Sequence, residues 1–124
     1  MKTINTYDEL NIPTSYKEFV KYFLSNLSRI DDVMRVILFG SCARGIADES
    51  SSDVDLLVIT KHDVALDDEF FIMSECTPSF DHDFYVPSDI IINSEDKYNK
   101  YKNTFGMVQK QAEREGVDIS GLLQ

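Results

Sequence analysis

The chain has few cysteines, little positive charge and no long apolar run. Its 124 residues include two cysteines, Cys42 and Cys76, which form no CxxC pair and have no histidine at a metal-ligand spacing. A disulfide framework and a zinc site are therefore not expected, and both thiols are predicted to be reduced. Lys and Arg number 12 against 22 Asp and Glu, which gives a net charge of −10. This balance argues against a protein that binds nucleic acid by neutralising its phosphates.

Membrane and export signals are also missing from the sequence. The N-terminal stretch MKTINTYDEL lacks the apolar segment of a secretory signal, and no run approaches the length of a membrane helix. We therefore predict a cytoplasmic protein with no membrane partner, folded as a single domain over residues 1–124. Hydrophobic residues make up 43% and charged residues 27% of the chain, as in globular proteins. The acidic surface suits a basic partner protein or a cationic small molecule.

Periodicity in the first half of the chain predicts one helix and two buried strands. Apolar residues recur at helical spacing over residues 16–30, after a Ser15-x-x-Glu18 pattern typical of a capping box. VMRVILF, residues 33–39, predicts a buried strand, and a second buried strand is predicted from Ser52 or Asp53 through Ile59. A short helix is expected over residues 41–47.

The second half of the chain completes a small mixed α/β domain. DDEFFIMSE, residues 67–75, fits a helix or a strand, and its leading acids favour a helix. FDHDFYV, residues 80–86, alternates and predicts a third strand that Pro87 stops. The remaining elements are a helix capped by Ser94, a break at residues 103–106, a last helix over 107–115 with Gly116 after it, and an edge strand at VDIS.

Two short motifs flank the loop between the predicted buried strands. Gly40 and Ser41 follow the first strand, where backbone N–H groups and a hydroxyl suit the oxygens of a phosphate. Asp53 and Asp55 open the second strand. Their side chains leave the same face about 6–7 Å apart, so they can converge on hard divalent ions. The alternative is that both acids are simply solvated where the loop meets the strand.

The predicted third strand adds further carboxylates. Asp81 and Asp83 share a face of that strand, and either one could lie beside the Asp53–Asp55 pair. Three carboxylates near a phosphate-binding turn would form a two-metal site for phosphoryl transfer. Without cations the acids would repel one another, so the arrangement calls for the ions.

Together these motifs resemble the signature of the polymerase β-like nucleotidyltransferases, and most closely the single-domain minimal nucleotidyltransferase group. The resemblance rests on Gly40-Ser41-x-Ala43-Arg44-Gly45 and Ser52-Asp53-Val54-Asp55-Leu56-Leu57-Val58. It implies a small mixed sheet flanked by helices. Gly40 and Ser41 would hold the phosphates, and Asp53 and Asp55 would hold magnesium. Asp83, with Asp81 in reserve, would complete the site and act as base. Arg44 would steady the loop or the phosphates, or form a local ion pair.

The resemblance also implies the reaction, a transfer of AMP from ATP to a hydroxyl group with two magnesium ions. Three functions remain open. The chain could be an antitoxin that AMPylates a tyrosine of a HEPN-type toxin, as small members of the group do. It could modify a cationic small molecule, as the aminoglycoside nucleotidyltransferases do, with a homo-oligomer supplying the acceptor site. It could be a non-catalytic binding module on the same fold, although it has kept all the expected acids.

Overall fold

The computed structural model describes residues 1–83 and 85–123, which form one mixed five-stranded sheet with helices on both faces. The described residues also include two short 3-10 turns, Tyr7–Glu9 before the first helix and Ser120–Leu122 after the last strand. In chain order the strands and helices are β1 (Lys2–Thr3), α1 (Thr14–Leu27), β2 (Val33–Phe39), β3 (Val54–Thr60), α2 (Leu66–Cys76), β4 (Ser88–Ser94), α3 (Glu95–Tyr101), α4 (Val108–Glu115) and β5 (Val117–Asp118). Within the described residues, no helix is long and apolar enough to cross a membrane.

The strands lie in the order β1-β5-β2-β3-β4. The central strands β2 and β3 are antiparallel and pair Phe39 with Asp55 at one end. β3 and β4 are parallel and pair Asp55 with Asp89. Because β2 and β3 are covered on both faces, they are almost continuously apolar, as expected for interior strands. Asp55 is therefore a charged residue at the end of a buried strand, between two neighbouring strands.

Alternate residues of the sheet pack against different helices. Val54, Leu56 and Val58 of β3 belong to the core that includes α1 and Ile72 of α2. The odd-numbered Leu57 and Ile59 pack instead with side chains of α3 and α4. Because side chains alternate along a strand, Asp55 lies on the α3–α4 side of the sheet.

Most of the predicted elements are confirmed. Strand 33–39 is present with the predicted bounds, the second strand runs over Val54–Thr60, and residues 67–75 lie in α2. The Ser94 cap is also confirmed, since its hydroxyl accepts a hydrogen bond from the N–H of Lys97 at 3.2 Å. The last helix and the short strand after Gly116 form as well. However, β5 lies between β1 and β2 and is not an edge strand.

Three local predictions are wrong. The capping box does not form, because the Ser15 hydroxyl bonds to Glu49 at 3.4 Å and no side chain caps α1. Residues 41–45 form turns and residues 46 and 47 are irregular, so no helix forms there, and both Gly40 and Gly45 have positive φ. Residues 80–83, 85 and 86 form no strand, and Phe84 lies outside the described residues. Local bonds hold that segment in turns, including His82 N–H to Ser79 O at 2.9 Å. The third long strand comes after Pro87.

Candidate active site

Gly40 brings the backbone into contact with a carboxylate. It has a φ of +74°, and a Cβ built on it would overlap Oδ2 of Asp55. A side chain is therefore disfavoured twice at this position, by the backbone conformation and by the neighbouring acid. The sharp turn after β2 places its peptide groups directly beside Asp55.

The turn that follows Gly40 leaves backbone N–H groups available as hydrogen-bond donors at the same end of the strands. The N–H groups of Ala43 and Arg44 both bond to the carbonyl oxygen of Gly40 at 3.1 Å. Within the part of the chain that the structure describes, no hydrogen bond uses the N–H of Ser41 or Cys42 or the hydroxyl of Ser41. Unpaired N–H groups in a tight turn suit an anion such as a phosphate oxygen.

The buried thiol of Cys42 ties this turn to the acidic strand. Its Sγ lies 3.5 Å from the carbonyl oxygen of Asp53, to which it can donate a weak hydrogen bond. Burial, together with the charges of Asp55 and Asp53, raises the pKa of Cys42 to about 11. A thiol that stays protonated serves as a small packing group here.

Three aspartates meet at the open end of β3 and β4. Asp55 is half-buried, whereas Asp53 and Asp89 are exposed. Asp55 and Asp89 are direct partners on adjacent parallel strands, which lie about 4.8 Å apart. Burial raises the pKa of Asp55, and the charges of Asp89 and then Asp53 raise it further. Asp55 therefore lies close enough to both neighbouring acids to be affected by their charges.

The donor set fits a hard divalent cation. In the described residues, no three His, Cys, Asp or Glu side chains already surround a common ion position. However, Asp53, Asp55 and Asp89 offer only carboxylate oxygens, the ligands that magnesium takes. The repulsion that raises the pKa of Asp55 is the interaction that a bound cation would relieve. The chemistry of these three side chains therefore fits a hard divalent cation such as magnesium.

Arg44 forms the local ion pair that was one of its two expected roles. Its Nη1 lies 2.9 Å from Oε2 of Glu115, at the end of α4. This contact ties the turn after Gly40 to the helix that covers the same side of the sheet. The positive charge of Arg44 also acts on Asp55, whose pKa it lowers against the larger opposing effects. Arg44 is therefore close to the acids while its guanidinium is held by Glu115.

The structure gathers five of the predicted site residues at one end of the sheet, namely Gly40, Ser41, Arg44, Asp53 and Asp55. The predicted placement of Asp83 on a strand beside β3 is wrong, and so is that of Asp81. Both are exposed in the turns that precede β4. The strand position next to Asp55 belongs to Asp89. A signal for Asp89 was present, because SDIII at residues 88–92 repeats the acid-then-apolar pattern of SDVDLLV.

Comparison with known proteins identifies the family of the chain. Residues 17–119 match the nucleotidyltransferase domain family. The match covers most of the chain, and the chain belongs to that family. Its fold is similar to a crystal structure of a candidate nucleotidyltransferase from Sulfolobus solfataricus, with 22% sequence identity, 78% of each chain covered and a TM-score of 0.49. No curated protein matches the chain.

Proposed function

We propose that the chain transfers AMP from ATP to a hydroxyl group, in a reaction that depends on magnesium. Family membership supports nucleotidyl transfer in general. The observation that carries the proposal is the position of Asp55, which touches the backbone of Gly40 and pairs with Asp89 on the next strand. A triphosphate held by the turn would lie directly beside the three acids.

Each part of the site has a task in this reaction. The N–H groups of Ser41 and Cys42 would bind phosphate oxygens, and Asp53, Asp55 and Asp89 would hold the metal ions. When bound, magnesium neutralises charge on the triphosphate and on the attacking oxygen. The acceptor oxygen forms a bond to the α-phosphorus of ATP. The bond between the α-phosphorus and the oxygen that bridges it to the β-phosphorus breaks, and pyrophosphate leaves. Asp89 would accept the proton of the hydroxyl, the task predicted for Asp83.

A protein hydroxyl is the acceptor that we propose, specifically a tyrosine of a HEPN-type toxin partner. The exposure of Asp53 and Asp89 supports this choice, since a side chain on another protein can reach acids at the exposed ends of the strands. The net charge of −10 favours a basic partner over an acidic one. The same charge also suits a cationic small molecule such as an aminoglycoside, which is the second candidate acceptor.

Metal and nucleotide binding can be tested without knowing the acceptor. We expect manganese to bind together with ATP in the unaltered chain, as measured by electron paramagnetic resonance. Asp89→Asn should weaken this binding about tenfold or more, because it removes a charged ligand. Asp83→Asn is the matched control, with the same chemical change at an exposed turn in the same segment, and should bind normally. The reverse result would show that Asp83 is the third ligand.

The acceptor requires a second assay. The chain is incubated with ATP labelled at the α-phosphate, magnesium, and either a HEPN-type protein or an aminoglycoside. Label on a tyrosine of the protein, lost in Asp53→Ala and Asp55→Ala, supports the proposed acceptor, whereas label on the aminoglycoside supports the second candidate. If metal and nucleotide fail to bind, the chain is a non-catalytic module and the proposed reaction is wrong.

A further inference from the structure

Helix α2 exposes large apolar side chains to solvent. Leu66, Phe70 and Phe71 are 64%, 60% and 62% exposed, while the helix buries only Ile72 and Cys76. A single exposed apolar residue is ordinary on a protein surface, but three on one short helix form a contiguous candidate for an interface. We call this helix surface and the groove beside it the α2 face.

The groove has an apolar floor and an acidic rim. It has a volume of about 290 Å³, and its apolar walls are Ile30, Val64, Phe71 and Ile72. The same groove is bordered by Asp32, Asp63 and Asp68. An apolar slot between carboxylates offers a partner two kinds of contact, burial of an aliphatic side chain and pairing with a cation.

Acids outnumber lysines around the groove. The sequence of α2, LDDEFFIMSEC, holds four acids and no Lys or Arg. The nearby lysines are Lys61, next to the groove in the sequence, and Lys97 and Lys100 of α3, which line neighbouring pockets together with Asp63. The imidazole Nδ1 of His62 lies 2.8 Å from Oδ1 of Asp32. The face therefore presents several carboxylates, of which Asp32 already has a partner. Its charge favours a partner with Lys or Arg beside its apolar residues.

We propose that the α2 face docks a basic amphipathic helix of another protein. Leucine-like side chains of that helix would enter the groove beside Phe71, and its Lys or Arg residues would pair with Asp63 and Asp68. A second copy of this chain fits poorly, because a symmetric contact would bring the acids of α2 against their own copies. Charge complementarity therefore selects a partner of opposite sign.

The α2 face lies on the side of the sheet away from the candidate active site. Ile72 of α2 belongs to the core shared with α1, whereas Asp55 lies on the α3–α4 side with Leu57 and Ile59. A helix docked on α2 would leave the carboxylates of β3 and β4 uncovered. The inference is independent of the proposed transfer reaction, and either one can fail without the other.

Two synthetic peptides test the charge and the groove together. One is a fluorescein-labelled amphipathic helix of Leu, Ala and Lys, and the other has Glu in place of every Lys. We expect the Lys peptide to saturate the full-length chain in an anisotropy titration and the Glu peptide not to bind. Asp63→Asn and Asp68→Asn should each weaken the Lys peptide severalfold, with a smaller effect at high salt.

Two phenylalanine variants separate docking from general attraction to an acidic protein. Phe71→Ser should weaken the Lys peptide about tenfold or more, the loss expected when an aromatic anchor is removed. Phe105→Ser makes the same change at a residue that is 93% exposed, in the loop between α3 and α4, and should not alter binding. Both side chains are exposed, so thermal melts should show that both variants stay folded.

Three results would overturn the proposal. Equal affinity of Phe71→Ser and the unaltered chain would mean that the peptide binds by charge alone, away from the groove. Equal losses in Phe71→Ser and Phe105→Ser would mean that the contact is not specific to α2. A dimer in sedimentation equilibrium that Phe71→Ser dissociates would show that the face joins two copies of this chain.

Discussion

The contact between Gly40 and Asp55 gives a prediction whose size can be worked out from the structure. Gly40 has a φ of +74°, and a Cβ at this position would overlap Oδ2 of Asp55. Gly40→Ala therefore combines an unfavourable backbone conformation with a collision. Gly106 separates the two effects, because it has a φ of +83° and no atom within 4 Å of a built Cβ.

Gly40→Ala and Gly106→Ala should lower the free energy of unfolding by different amounts, and the difference is the cost of the overlap with Asp55. Alanine held at positive φ costs about 1–2 kcal/mol, which is the whole effect expected for Gly106→Ala. Overlap in a packed site adds about 1–3 kcal/mol. Gly40→Ala should therefore lower the free energy of unfolding by about 2–5 kcal/mol in total. It should also abolish nucleotidyl transfer, because relief of the overlap moves the Asp55 carboxylate away from its position beside the turn.

Urea denaturation of four chains measures the cost of the overlap between position 40 and Asp55 directly. The unaltered chain, Gly40→Ala, Asp55→Ala and the double variant form a double-mutant cycle. Since Asp55→Ala removes the overlapping carboxylate, the double variant should be more stable than the sum of the single changes predicts, by about 1–3 kcal/mol. The reasoning is refuted if Gly40→Ala is no more destabilising than Gly106→Ala, or if the two changes at Gly40 and Asp55 are additive.

Three further predictions concern single contacts. The folded state raises the pKa of Asp55 and so holds its proton more tightly. The contribution of Asp55 to metal-free stability therefore falls as pH rises from its unfolded pKa, about 4, through its higher folded pKa. Asp55→Asn should flatten this fall and raise the urea midpoint at neutral pH while abolishing transfer; an unchanged pH profile would contradict it. Arg44→Gln breaks the ion pair with Glu115, and should cost less than about 1 kcal/mol in urea unfolding but raise KM for ATP in steady-state kinetics. Asn93→Ala removes Oδ1, which accepts from the buried Gln109 at 2.8 Å, and should lower the free energy of unfolding by about 1–3 kcal/mol in thermal or urea melts.

The central strands could be predicted from sequence because their environment is uniform. VMRVILF and VDLLVIT form neighbouring strands that are buried on both faces. A run of β-branched and other apolar residues is the pattern that such a position requires, whatever the partners are. Gly40 and the Asp53–Asp55 pair could be located for the same reason, since they occur at the ends of these runs.

The third acid could not be located in this way, because strand partners are chosen by contacts across the fold. FDHDFYV alternates like a strand, yet the N–H of Tyr85 bonds to the carbonyl oxygen of His82 at 3.0 Å, within the segment. SDIII lacks alternation but pairs along all of β3, which precedes it by a whole helix. Local alternation does not say where the backbone hydrogen bonds of a segment go.

A similar competition decided the start of α1. Ser15 and Glu18 have the spacing of a capping box, which is a purely local device. In the folded chain the Ser15 hydroxyl contacts Glu49, and the nearby Tyr16 hydroxyl donates to the carbonyl oxygen of Ser52 at 2.6 Å. These contacts attach α1 to the loop that carries Asp53. The capping-box prediction therefore failed because the first turn of α1 contacts the loop before Asp53 and does not cap its own N-terminus.

The end of β3 is unfavourable for the stability of the ligand-free chain in two separate ways. Asp55 is partly buried beside two other carboxylates, and its raised pKa shows that its charge is disfavoured there. Gly40 is required so that the backbone can pass this carboxylate, and glycine loses more conformational freedom on folding than other residues. A neutral side chain at 55 would relieve the first effect and a wider turn the second. In the reaction that we propose, a cation would neutralise the acids and phosphates would use the close backbone. Magnesium and ATP should then stabilise this chain more than they stabilise Asp55→Asn in thermal melts.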